Sequence, residues 1–155
     1  KGVMMPHEAV VSHSLDLIGR YRLTPEDRVL QFSSIGFDIS LEQVLTTLAA
    51  GAALVLRDNR MWTPRQFSQK CKEYGLTVTN LPTSYWNEVV QQWHIEPDTV
   101  PGGGLRLVIV GGERMLPEKV ALWEKLPLTN ILLLNAYGPA ETAMTSTLYP
   151  VSGEG

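Results

Sequence analysis

Helical and strand patterns alternate along this chain from end to end. Residues 7–21 carry Val10, Val11, Leu15, Ile18 and Tyr21 close to a helical stripe, which predicts a helix there. A short strand follows at 29–33. Ser40 with Gln43 three positions on has the form of a capping box, so the next helix is predicted to start at Ser40. Leu41, Val44, Leu45, Leu48 and Ala49 continue it at helical spacing, and Gly51 closes it. Residues 52–56 read as a strand. Thr63-Pro64-Arg65-Gln66 starts another helix with proline in its first turn, Phe67, Cys71 and Tyr74 mark its buried side, and Gly75 stops it. A strand at 76–81 and a helix opened by Pro82-Thr83-Ser84 and running through Trp93 come next. After a glycine-rich loop at 101–104, a mostly apolar strand spans 105–110 and ends at Gly111-Gly112. A helix over 117–126, a strand at 131–135 and a last strand over 143–149 complete the pattern.

Strand–helix–strand repetition with short connections predicts an α/β fold, a mostly parallel sheet covered by helices. The strands are near-continuous apolar runs, which suits a sheet buried on both faces. Ligands of such sheets bind outside the carboxyl ends of the strands. Three segments leave a predicted strand end and turn polar or glycine-rich: 36–40, 111–113 and 135–142. A single pocket lined by all three is the expectation.

Composition changes this picture little. The 155 residues suffice for a domain with a real core. A net charge of −3 without any basic run argues against a nucleic-acid partner. The longest apolar run, 48–56, falls far short of the roughly 20 residues a membrane helix needs, so no membrane partner is expected. One cysteine, Cys71, rules out an internal disulfide and fits a reducing, cytoplasmic compartment. The chain starts at Lys1 and stops at Ser152-Gly153-Glu154-Gly155 without a closing element. Residues 1–155 are therefore expected to be an internal piece of a larger domain.

Several residues could carry chemistry. If Ser40 caps its helix, Asp38 is left free between Phe37 and Ile39 near the mouth of the sheet. A carboxylate in apolar surroundings is costly unless a cation meets it, and a ligand ammonium would do so. The alternative is that Asp38 only competes to cap the helix. Glu42 falls at the edge of the apolar stripe, a boundary position able to reach a pocket, or else a solvated acid favoured by the helix dipole. Gly111-Gly112-Glu113, between a strand and a helix, is either a tight connection or a place of close backbone approach to a ligand. Tyr137 offers a stacking face and Glu141 an oxygen ligand for Mg²⁺. Core packing and a plain surface acid serve equally well, and residue chemistry alone leaves both open. Cys71 and the tryptophans Trp62, Trp86, Trp93 and Trp123 read as packing residues.

Lys1-Gly2-Val3, Phe37-Asp38-Ile39-Ser40 and Asn135-Ala136-Tyr137-Gly138-Pro139-Ala140-Glu141, in this order, resemble three core motifs of the adenylation domains of nonribosomal peptide synthetases. These belong to the adenylate-forming superfamily, with acyl-CoA synthetases and luciferases. The resemblance spans the whole chain and includes Asn80-Leu81-Pro82 and Val110-Gly111-Gly112-Glu113. It implies that the chain covers well under half of the family's large N-terminal domain. It also implies activation of an α-amino acid with ATP and Mg²⁺ to an aminoacyl-AMP, then transfer to a phosphopantetheine thiol on a peptidyl carrier domain.

By position, the resemblance implies that Asp38 pairs with the substrate ammonium, assisted by the backbone carbonyls of Gly138 and Met144. Tyr137 would stack on adenine, Asn135 would bond its edge, and Gly112 and Glu113 would line the slot. Lys1 and Ala140 would lie on the phosphate side and Glu141 would hold Mg²⁺. The side-chain pocket would comprise Ile39, Glu42, Asn80, Ile109, Gly111, Ala136, Met144 and Thr145. Two of these, Glu42 and Asn80, are strongly polar, and a buried Glu42 needs a partner. That points to a cationic or donor-bearing substrate such as ornithine, lysine or a hydroxylated relative. The sequence departs from the family at Ala140, where threonine is usual. Only the end of the phosphate loop is present, and the ribose-binding Asp and catalytic Lys lie beyond the chain, so the chain alone is expected to be inactive. The alternatives are an acyl- or aryl-acid ligase, for which Asp38 has no use, and a non-catalytic module with the same fold.

Overall fold

The computed structural model describes residues 2–128 and 130–152, the side chain of Ser152 excepted. Its elements are α1 (His7–Tyr21), β1 (Arg28–Gln31), α2 (Asp38–Ala49), β2 (Ala53–Leu56), α3 (Pro64–Tyr74), β3 (Val78–Pro82), α4 (Thr83–Ile95), β4 (Leu107–Gly111), α5 (Pro117–Trp123), β5 (Leu132–Tyr137) and β6 (Thr147–Ser152). Short 3-10 turns lie at Pro97–Thr99 and Ala140–Thr142. Local signals explain several boundaries. Thr63 and Gln66 exchange side-chain and backbone hydrogen bonds in a true capping box, and Gly75 closes α3 at φ 60°.

The strands form one sheet in the order β2-β1-β3-β4-β5-β6. All neighbours pair in parallel except β5 and β6, which are antiparallel. The predicted α/β architecture is therefore present, with one edge strand reversed. The predicted start of the last strand at 143 is corrected. Ala143 and Met144 have φ of 61° and 74°, a left-handed backbone that no strand accommodates.

Side chains alternate across the sheet and build two cores. One face carries Val108, Val110 and Leu133 against α3, α4 and α5, and this core holds Phe67, Cys71 and all four tryptophans. Burial pushes the Cys71 thiol up to about 12, which keeps it a neutral packing group. The opposite face carries Val78, Ile109, Leu134 and Ala136 against Leu17 and Tyr21 of α1. Arg106, just before β4, ties α1 to this layer. It donates to Tyr21 O and Arg22 O at 3.1 and 2.9 Å, and from Nε and Nη2 to Asp27 at 2.9 and 2.7 Å.

Helix α2 runs against its own sequence pattern. Its apolar residues Leu41, Leu45 and Leu48 are exposed, while Ser40, Glu42, Gln43, Thr46 and Thr47 are buried. Nor do Ser40 and Gln43 cap it. The helix starts two residues earlier, with Phe37 at the N-cap and Asp38 in the first turn, and Ser40 Oγ donates to Phe37 O at 2.6 Å. Gln43 is used across the fold instead. Its Oε1 accepts from Phe32 N and Ser33 N, both at 3.1 Å, and its Nε2 donates to Asn80 O at 2.9 Å. One amide thus terminates β1 and joins it to β3. Replacing Gln43 by Met keeps the length and strands three buried backbone groups, so denaturant unfolding should show a loss of about 2 kcal/mol. Leu48→Lys on the exposed face should stay within about 0.5 kcal/mol of the parent.

Candidate functional site

Strand order creates the site. From β1 the chain passes through α2 to β2 on one side, whereas β3, on the other side of β1, continues through α4 to β4. Connections diverging from neighbouring parallel strands leave a crevice at their carboxyl ends. A cavity of about 480 Å³ lies there. The three predicted segments meet in it through Asp38 and Ile39, Gly111 to Glu113, and Ala136 with Gly138. Asn80, Met144 and Thr145 complete the predicted part of the lining.

Asp38 occupies the first turn of α2, half-buried, where the helix dipole favours an anion. Its Oδ1 accepts from Ile39 N at 2.8 Å. That bond serves a helix N–H that would otherwise be open, and the second oxygen has no partner among the described residues. Asp38 thus does part of the helix-terminating work and still presents a carboxylate oxygen to the cavity.

Glycines set the opposite wall. A Cβ on Gly138 would lie 1.8 Å from Met144 O and 2.6 Å from Ser146 N, so only glycine lets the two backbones touch. Ser146 N donates to Tyr137 O at 2.9 Å and closes this loop. A Cβ on Gly111 would lie 2.7 Å from Ala136 O. Behind the Gly111–Glu113 turn, the buried Thr83 hydroxyl lies 3.1 Å from Gly111 O and 3.0 Å from Glu113 O, pinning both.

Other predicted residues fall elsewhere. Ile109 is buried one layer below, beside Asn80 in the sheet register. Glu42 does not sit at a boundary. It is 1% exposed and lies behind the cavity wall. It already has partners, since Tyr21 OH donates to Oε1 at 3.1 Å, Asn80 Nδ2 to Oε1 at 3.3 Å, and His13 Nε2 lies 3.3 Å from Oε2. The premise that Glu42 lacks a partner within the chain is therefore corrected. Half-buried Asn135 and 70% exposed Tyr137 share the other face of β5, just outside the cavity. Ala140 and the exposed Glu141 sit in the following 3-10 turn, outside the lining. Lys1 lies outside the described residues.

Sequence reasoning missed Arg57 and Thr83. Arg57 Nε donates to Phe32 O at 3.0 Å while its guanidinium covers the Phe32 ring at 5.1 Å, making one wall of the cavity. Nothing in its local pattern marks it, because its partner Phe32, just past β1, lies 25 positions away. Thr83 was visible only as a helix-start residue.

Comparison with known proteins decides the family. Residues 1–154 match the family model described as AMP-binding enzyme. The chain belongs to the AMP-binding enzyme family. It is 38% identical over 149 residues to an isonitrile lipopeptide synthase of Streptomyces coeruleorubidus, covering 96% of this chain and 10% of that protein. The fold superposes on the nonribosomal peptide synthetase FmoA3 with a TM-score of 0.86 at 26% identity, over 99% of this chain and 16% of that one. PA1221, a synthetase protein containing adenylation and PCP domains, matches with a TM-score of 0.70 at 28% identity, over 83% of this chain and 21% of that one. The AMP-binding chain thus spans under a quarter of the length of each of these relatives.

The residues present suit an adenine nucleotide, and the cation side offers a single carboxylate, since no group of three His, Cys, Asp or Glu that could hold a metal occurs among the described residues. Gly112, at φ 91°, offers a bare backbone edge with no atom within 4 Å of where a Cβ would stand. Tyr137 holds an exposed ring at the end of β5, and the Glu141 carboxylate has no partner among the described residues.

Proposed function

We propose that this chain forms part of an adenylation domain that activates an α-amino acid with ATP and loads it onto a carrier. A substrate carboxylate oxygen attacks the α-phosphorus of ATP, the bond to pyrophosphate breaks, and an aminoacyl-AMP results. The phosphopantetheine thiol of a peptidyl carrier domain then displaces AMP and gives a thioester. The observation that carries this reading is Asp38. A half-buried carboxylate at a helix N-terminus, with one oxygen bonded to Ile39 N and the other open to the cavity, suits a substrate ammonium.

In this reading Gly138 and Met144 turn backbone carbonyls toward the same ammonium. Tyr137 stacks on the adenine, Asn135 bonds its edge, and the Gly112–Glu113 backbone lines the slot. Glu141 holds Mg²⁺, which supplies positive charge against the phosphates. Ala140, lacking the hydroxyl usual in the family, leaves a weaker contact on the phosphate side. Lys1 would lie on that side as well. Asn80 in the lining, whose amide nitrogen is committed to Glu42, favours a donor-bearing amino acid.

Amino-acid-dependent pyrophosphate exchange by the full-length protein tests the reading. Asp38→Asn should lower kcat/KM for the preferred amino acid about 100-fold, a loss expected when a charge-assisted hydrogen bond to a buried ion is removed. Equal activation of the des-amino acid by the parent protein would sink the amino-acid reading in favour of an acyl- or aryl-acid ligase.

A further inference from the structure

Glu42 is too deep to meet a ligand directly, yet it stands behind two residues that line the cavity. A carboxylate only accepts hydrogen bonds, so every partner must turn a donor toward it. Asn80 therefore points Nδ2 inward at Glu42, leaving Oδ1 with no partner among the described residues. Tyr21 likewise gives its hydroxyl proton to Glu42, and the Thr145 side chain neighbours its oxygen. With the Tyr21 proton committed, that oxygen can only accept from Thr145. Burial, and behind it the Glu42 charge, hold the Tyr21 phenol well above its ordinary pKa, so it remains a donor. His13 closes the far side of the carboxylate from α1. Asn80 and Thr145 line the cavity, whereas Glu42, Tyr21 and His13 do not.

We propose that buried Glu42 draws the donors of Asn80 and Thr145 inward and so makes the cavity floor an acceptor surface, with Tyr21 and His13 as positioning residues for side-chain selection. The floor then selects a side chain that brings its own N–H or O–H. It does so without a direct ion pair to Glu42. Selection is governed in part from α1, a helix that contributes no residue to the lining. The proposal rests on the amino-acid activation reading, and its test separates the two.

The full-length protein is assayed by pyrophosphate exchange with matched pairs: ornithine with norleucine, homoserine with norvaline, threonine with valine. The parent should prefer the donor-bearing member of at least one pair by about tenfold or more. Tyr21→Phe frees the Thr145 proton, and Glu42→Gln removes the acceptor-only centre. Each should cut that preference about tenfold, in the KM for the acid and not in the KM for ATP. His13→Gln, which keeps a donor to Glu42, should retain more of the preference than His13→Leu. A purely structural role would give no such rescue and would raise the ATP KM as well. A parent preference for the apolar members, or an unchanged ratio in both Tyr21→Phe and Glu42→Gln, overturns the proposal while leaving amino-acid activation intact. If α-amino acids are not activated at all, the activation reading fails. The same pairs as des-amino acids then read the floor, and absence of a donor preference among those overturns the proposal too.

Discussion

Gly138→Ala should abolish most amino-acid-dependent pyrophosphate exchange, with kcat/KM down at least about 100-fold in the full-length protein. The new methyl would sit 1.8 Å from Met144 O and 2.6 Å from Ser146 N, and both are backbone atoms that cannot rotate away. Relief requires the loop closed by Ser146 N and Tyr137 O to open. That displaces Met144 and Thr145 from the cavity and moves Tyr137 relative to the Gly112 edge. A shift of about 1 Å is enough to cost two orders of magnitude when several groups must converge on one reacting carboxylate. Gly19→Ala in α1, where an added methyl meets no atom within 4 Å, is the matched control and should retain the parent rate. An active Gly138→Ala protein would mean that the loop does not set the cavity wall.

Arg106→Ala should destabilise the protein by about 3 kcal/mol in chemical denaturation at neutral pH. The substitution uncovers the buried Asp27 carboxylate and frees the Tyr21 and Arg22 carbonyls at the end of α1. Burial alone would raise the Asp27 pKa. The hydrogen bonds from Arg106, then Thr77 and Thr24, overcome it and bring the group down to about 2. A carboxyl depressed on folding adds stability above its unfolded pKa, and that contribution disappears as pH falls through the folded value. The advantage of the parent over Asp27→Asn should therefore be full above roughly pH 4 and vanish toward about pH 2. A shift of this size corresponds to about 2.5 kcal/mol. A constant difference across that range would show that Asp27 acts through packing rather than charge.

Where a local pattern has a local cause, the sequence showed it. Thr63, Gln66 and Gly75 bracket α3 as read, and helix α1 spans the predicted residues. The meeting of three strand-end segments in one cavity also followed from alternation alone. The rest depends on partners far along the chain. Ser40 and Gln43 imitate a capping box, but Gln43 is engaged by Phe32, Ser33 and Asn80. Glu42 looked like a boundary acid because its partners, Tyr21 and Asn80, stand 21 and 38 positions away. The exposed apolar stripe of α2 shows that periodicity reports a helix without reporting which side faces inward. Strand order, which creates the crevice, leaves no mark in a sequence of strands and helices. Nor does the reversal of β6, which turns on the left-handed pair Ala143–Met144.

The placement of every tryptophan in the α3–α5 layer has a spectroscopic consequence. Trp86 and Trp93 each lie 6.0 Å from Trp123, so their emission reports the same few nanometres of interior. Fluorescence from this chain is a one-sided witness. Loosening of α1 from the opposite face, where Glu42 and its donors lie, would leave the indoles in place and the spectrum unchanged. Changes there would instead register through the Tyr21 ring or through an indole introduced on α1, giving each face of the sheet its own optical signal.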